Sequence, residues 1–131
     1  MAVSTFAAID IGSYEVSMKI FELSKKSGLK ELNHVRYRLE IGKGAYSSGR
    51  LDREIVDSIC EVLKDFRTIM MEFGTEDYRA CATSAFREMV NPVIILEQIY
   101  QRTGIRVEIL SNAEQHFLGS VSYTHLTLPT N

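Results

Sequence analysis

Three short stretches carry the residue types that could do phosphate chemistry. In the first, an apolar run from Phe6 to Ile11 contains Asp10 and ends at Gly12-Ser13, and a second run, Val16 to Phe21, alternates polar and apolar residues. Two extended runs around so short a link read as a β-hairpin. Such a turn can offer backbone N–H groups to a phosphate, with Asp10 held nearby for a metal ion or a water. The same residues also make a plain hairpin with an acid near its end. In the second stretch, the hydroxyls of Thr83 and Ser84 precede Arg87. The end of a strand is where open α/β sheets bind ligands, and a guanidinium grips phosphate through two parallel charge-assisted bonds. A surface arginine on a helical turn is the alternative. In the third, Ser111 to Glu114 has the S-x-x-E spacing of a helix capping box.

The elements that must position these residues follow from periodicity. Ser24–Lys30 is polar and contains Gly28, so it reads as a turn. Leu32, Val35, Tyr37, Leu39 and Ile41 nearly alternate with charged residues, which predicts a third strand over 31–41 with one wet face. Residues 42–50, GKGAYSSGR, are rich in glycine and serine. They read as a connector, although Lys43 and Arg50 leave a ligand loop open. Residues 52–73 form the clearest helix, with Ile55, Ile59, Leu63, Phe66, Met70 and Phe73 on one stripe and Cys60 and Ile69 beside it. Asp52 is its expected N-cap and Gly74 its stop. Tyr78–Thr83, with small alternating residues, predicts an inner strand. Asn91-Pro92 starts a second helix that runs to about Arg102 on a stripe of Val93, Leu96 and Tyr100, and Gly104 ends it. Arg106–Leu110 is a further strand and 111–118 a third helix. The order βββ-α-β-α-β-α makes the later strands parallel to their neighbours in a mixed α/β sheet.

Bulk composition narrows the field. One domain suits 131 residues, and 45% hydrophobic with 24% charged residues is ordinary for a soluble protein. A net charge of −2 argues against a general nucleic-acid or membrane surface. Cys60 and Cys81 lack metal-ligand spacing, and Cys60, on the apolar face of the first helix, reads as a reduced, buried thiol. No apolar run reaches membrane-spanning length, and Asp10 interrupts the first one too early for a signal peptide. The expected location is therefore the cytoplasm.

The three stretches together resemble a known family. D-I-G-S at 10–13 looks like the phosphate loop of the actin-like ATPase and sugar kinase superfamily. ATSAFREMVN at 82–91 resembles the G-T-x-x-[LM]-R-x-A-x-N segment of the exopolyphosphatase and guanosine-pentaphosphate phosphohydrolase family. ILSNAEQHFLG at 109–119 resembles that family's I-[IL]-S-G-x-E-E-A-x-L segment. Order and spacing agree from about Phe6 to Leu118. The resemblance implies a ribonuclease-H-like half-fold, the first of two lobes, acting on inorganic polyphosphate or guanosine pentaphosphate with Mg²⁺ or another divalent cation. It would give Asp10 the metal. Gly12, Ser13, Thr83, Ser84, Arg87 and Asn91 would hold phosphate, and Arg87 and Glu114 would be catalytic.

Two departures from the pattern bear on activity. Tyr14 stands where the resemblance expects Asn, and Gln115 stands at the second acid, the expected general base. Gln has no useful basicity, which leaves Glu114 as the remaining acid. A phosphohydrolase, a homologue that binds such anions without cleaving them, and a sugar or acetate kinase of the same superfamily are the three readings. Residues 121–131, VSYTHLTLPTN, resemble one reading frame of a sequencing-library adapter, so residues 1–120 are expected to be the phosphatase lobe and 121–131 an adapter-derived tail. The second glycine motif of the superfamily, D-x-G-G-G-[ST], is absent from this sequence. The lobe by itself is then expected to be inactive, with a second lobe as its partner, exposed apolar surface where that lobe would pack, and a homodimer compatible with the sequence.

Overall fold

A computed structural model describes residues 3–41, 52–82, 86, 89 and 91–109. Among these residues, five strands and two helices follow in the order β1 (Val3–Ile11), β2 (Glu15–Ser24), β3 (Gly28–Arg38), α1 (Arg53–Glu72), β4 (Asp77–Ala82), α2 (Pro92–Thr103) and β5 (Val107–Ile109). They form one sheet in the order β3-β2-β1-β4-β5. The pairs β1–β2 and β2–β3 are antiparallel, while β1–β4 and β4–β5 are parallel. This is the mixed sheet of a ribonuclease-H-like half-fold. The helix expected at 111–118 lies outside the described residues.

The hairpins are longer than the sequence pattern suggests. Pairing of Leu23 with Leu29 and Glu22 with Lys30 carries β2 to Ser24 and starts β3 at Gly28. The connection shrinks to residues 25–27, closed by the Ser27 N–H on Ser24 Oγ at 3.1 Å. Gly28 follows with φ of 70°, a conformation that suits a residue without Cβ. The ladder skips a residue between Ile20–Asn33 and Phe21–Glu31, leaving Leu32 as the bulge. That skip is the flaw in the apolar alternation between Leu32 and Val35. β3 stops at Arg38 rather than 41; the Leu39 N–H still donates to the Tyr14 carbonyl at 3.0 Å, and Ile41 then folds into the core.

Alternation puts Ala7, Ile9 and Ile11 of β1 on one face with Val16, Met18 and Ile20 of β2, Ala80 and Ala82 of β4 and Val107 of β5. Helix α1 covers that face with Val56, Ile59, Cys60, Leu63, Phe66 and Met70, and α2 adds Ile99. The Tyr37 and Phe66 rings, 5.7 Å apart, join β3 to α1. Each fully buried aliphatic or phenyl side chain here stabilises the fold by roughly 1.5–3 kcal/mol.

The helix stripes differ in detail from expectation. Val56 and Val62 of α1 are buried, whereas Phe73 lies past the last turn, 38% exposed. In α2 the buried residues are Ile99 and Thr103, Ile95 and Leu96 pack partly buried against the core, and Val93 is 74% exposed. Neither Asp52 nor Asn91 makes a side-chain cap. At Asp52 the backbone carbonyl itself accepts from the Ile55 and Val56 N–H groups, at 3.0 and 3.1 Å. Both glycine stops behave as expected. Gly74 has φ of 67°, with its N–H on the Met71 carbonyl and the Thr75 N–H on the Met70 carbonyl. Gly104 has φ of 77°, with its N–H on the Tyr100 carbonyl.

Candidate active site

One rim of the sheet gathers the loops that matter. Because β1, β4 and β5 run parallel, Ile11 stands beside Ala82 and Ala82 beside Ile109 at their C-terminal ends. With strands spaced about 4.8 Å apart, the three ends lie within about 10 Å. The 12–14 turn, the 83–91 segment and the chain after Ile109 all leave from this edge. β3 also runs parallel to β1, so its end at Arg38, paired with Glu15, lies at the same edge. Periodicity within single segments could not supply this convergence; the register does.

Two backbone hydrogen bonds hold the turn. The Gly12 N–H donates to the Glu15 carbonyl at 2.8 Å, and the Leu39 N–H donates to the Tyr14 carbonyl at 3.0 Å. No residue of the turn is left-handed. The Gly12 donor is therefore committed within the hairpin, and what Gly12 offers a ligand is the absence of a side chain. Ser13 is half-buried beside it, and Tyr14 is 58% exposed.

Asp10 falls on the face of β1 away from the helices, next to Ser17 of β2 and Cys81 of β4. An acid inside an apolar run is thus tolerated, because alternation turns it outward and it keeps solvent contact. The chain packed around it still removes part of its hydration. That desolvation, with the like charge of Glu15, raises its carboxyl above the ordinary value of 3.8. Glu15 is held by Arg36 across the sheet, with Nη2 at 3.2 Å and Nε donating at 3.3 Å.

A second group lies beside Asp10. Arg79 Nη2 is 3.6 Å from Glu108 Oε1, and the buried Arg79 Nε has no hydrogen-bond partner among the described residues. Burial raises the Cys81 thiol. Arg79 pulls it down, and Glu108 and Asp10 push it up. Glu15, Arg36, Arg79 and Glu108 are surroundings of Asp10 that local sequence did not single out, since cross-strand neighbours carry no fixed spacing. Among the described residues, no three His, Cys, Asp or Glu side chains converge as a metal cage.

Of the expected site residues, Asp10, Gly12 and Ser13 come together at the rim. Asn91 is exposed, with φ of −130° and no capping bond from its side chain. Thr83, Ser84, Arg87, Glu114 and Gln115 lie outside the described residues. Between Ala82 and Asn91 the described residues are Phe86, fully buried, and Met89, 7% exposed, with the Met89 N–H on the Phe86 carbonyl at 3.2 Å.

The model of the Ppx/GppA phosphatase family matches residues 20–125. The chain belongs to this family. Exopolyphosphatase 1 of Mycobacterium leprae is 23% identical over 107 residues, covering 82% of this chain and 32% of that protein. The crystal structure of the Aquifex aeolicus Ppx/GppA family member aligns with a TM-score of 0.84 at 27% identity, over 93% of this chain and 40% of that one. An exopolyphosphatase from Cytophaga hutchinsonii aligns with a TM-score of 0.78 at 25% identity, over 84% of this chain and 35% of its own. The chain therefore spans about a third of the length of the curated relatives it matches. The family match supports the phosphatase reading and lends none to a sugar or acetate kinase.

Proposed function

We propose that this chain forms the first half of a phosphohydrolase cleft that removes the terminal phosphate from inorganic polyphosphate or guanosine pentaphosphate. The observation that carries the reading is the shared rim, where Ile11, Ala82 and Ile109 end side by side. In the sequence, one of the three motifs directly follows each of these strand ends. Hydrolysis of a phosphoanhydride needs neutralisation of the departing chain and an oriented water. In this reading Ser13 with Thr83, Ser84 and Asn91 binds phosphate oxygens, and Arg87 clamps them. Glu114, with Gln115 beside it, orients the water.

The raised carboxyl of Asp10 fits a cation site, because a neighbouring cation relieves both the lost hydration and the repulsion from Glu15. A lone carboxylate suits Mg²⁺, which keeps several waters and completes its shell with substrate phosphates. When bound, such an ion would neutralise charge on the transferred phosphoryl group. The second half of the cleft would come from a further lobe.

Phosphate release by the product of the intact gene, measured beside Arg87→Ala and Glu114→Gln, tests the reading. Loss of at least 100-fold in kcat/KM in each variant is expected, on the order of what removing a charge-stabilising or proton-transfer group costs. Equal turnover by wild type and Glu114→Gln would remove Glu114 from the chemistry. Gln115 favours one second reading, a protein that binds these anions without cleaving them. Tight polyphosphate binding with no phosphate release by the wild type would establish that instead.

A further inference from the structure

Tyr14 is the one large side chain of the hairpin turn, and it has no packing partner in the core among the described residues. Its backbone is fixed on both sides, by the Gly12–Glu15 bond at 2.8 Å and by the Leu39 N–H on its own carbonyl at 3.0 Å. Its side chain is nevertheless 58% exposed, and its hydroxyl makes no hydrogen bond among the described residues. The ring thus stands on a hydrogen-bonded turn, next to Ser13, at the rim where the strand ends meet. Stacking surfaces need this combination of a held backbone and an open aromatic face.

The chemistry of the two candidate substrates separates them at this point. Inorganic polyphosphate is oxygen and phosphorus throughout and has no apolar or π surface to offer a phenol ring. A nucleoside polyphosphate carries a purine, whose flat face gains from contact with tyrosine. The short polar side chain that the family pattern has here would serve both substrates through phosphate oxygens, whereas an aromatic ring favours only one.

We propose that Tyr14 is a substrate-selecting residue that stacks on the base of a nucleoside 5′-polyphosphate and biases the rim toward nucleotides over inorganic polyphosphate. The proposal rests on the phosphohydrolase reading above and narrows its substrate class. Tyr14→Asn and Tyr14→Phe in the product of the intact gene test it, with affinity and kcat/KM measured for guanosine pentaphosphate and for short-chain inorganic polyphosphate. Because the side chain is exposed, both variants should fold, which a thermal melt checks.

Tyr14→Asn should weaken guanosine pentaphosphate binding about tenfold, within the range an aromatic–base stack contributes, and leave polyphosphate unchanged. Tyr14→Phe keeps the ring and should match the wild type on both ligands. Parallel changes for the two ligands would overturn the proposal. So would a Tyr14→Phe defect equal to that of Tyr14→Asn, since the hydroxyl rather than the ring would then be at work. If the wild type binds neither ligand, the phosphohydrolase reading itself fails and takes this one with it. If it binds both but Tyr14→Asn does not discriminate, only the assignment of Tyr14 falls.

Discussion

Asp10 and Thr103 are polar residues under opposite constraints. Desolvation and Glu15 raise the Asp10 carboxyl, so the folded chain holds that proton more tightly than the unfolded chain does. The stability linked to Asp10 is full below about pH 3.8 and is lost as pH climbs through its raised folded value. Asp10→Asn should therefore melt higher than the wild type at pH 7 and equal to it at pH 3, while losing metal-dependent phosphate binding. Thermal scans at the two pH values check the first part. Thr103 is 2% exposed and fully satisfied, with Oγ1 donating to the Ile99 carbonyl at 2.7 Å and accepting from the Ile105 N–H at 3.1 Å. Thr103→Val keeps the volume but strands that N–H in the core, at a cost of about 1–3 kcal/mol in a urea titration. Thr103→Ser keeps both bonds and should lose less.

At the scale of elements, the end of α2 is held by α1. Arg67 Nη1 donates to the Thr103 carbonyl at 3.0 Å, and a Cβ on Gly104 would meet that same nitrogen at 2.6 Å. The guanidinium thus occupies the space a side chain would need and places a cation at a helix C-terminus, where the dipole favours it. Gly104→Ala should cost about 1 kcal/mol for the left-handed backbone alone, and more as Arg67 is displaced. Arg67→Ala should cost about 1 kcal/mol. Since both act through one contact, the double variant should lose less than the two single losses added together, as a double-mutant cycle would show. Gly104 was legible as a helix stop because glycine has a distinctive backbone. Its partner was not, because Arg67 sits on another helix and any exposed arginine has the same local pattern.

At the scale of the whole molecule, the sheet presents one covered face, and α2 carries exposed apolar surface at its start. Val93 is 74% and Ile94 55% exposed, beside a groove that Arg53, Val56 and Asp57 of α1 help to line. Val93→Lys with Ile94→Lys should change stability by less than about 0.5 kcal/mol for each substitution. The pair should also reduce self-association of the 131-residue chain, read by light scattering. The types and order of the described strands and helices and the glycine stops follow from the sequence by itself, because backbone periodicity and left-handed glycines are local properties. So did the family, through three motifs in register. The structure alone decided which side Asp10 faces, that Glu15 and Arg36 pair beside it, and that Val93 is outside while Ile99 is inside. It also decided that the ends of β1, β4 and β5 meet at one rim. These depend on strand register and helix rotation, which are set by packing between segments far apart in the chain.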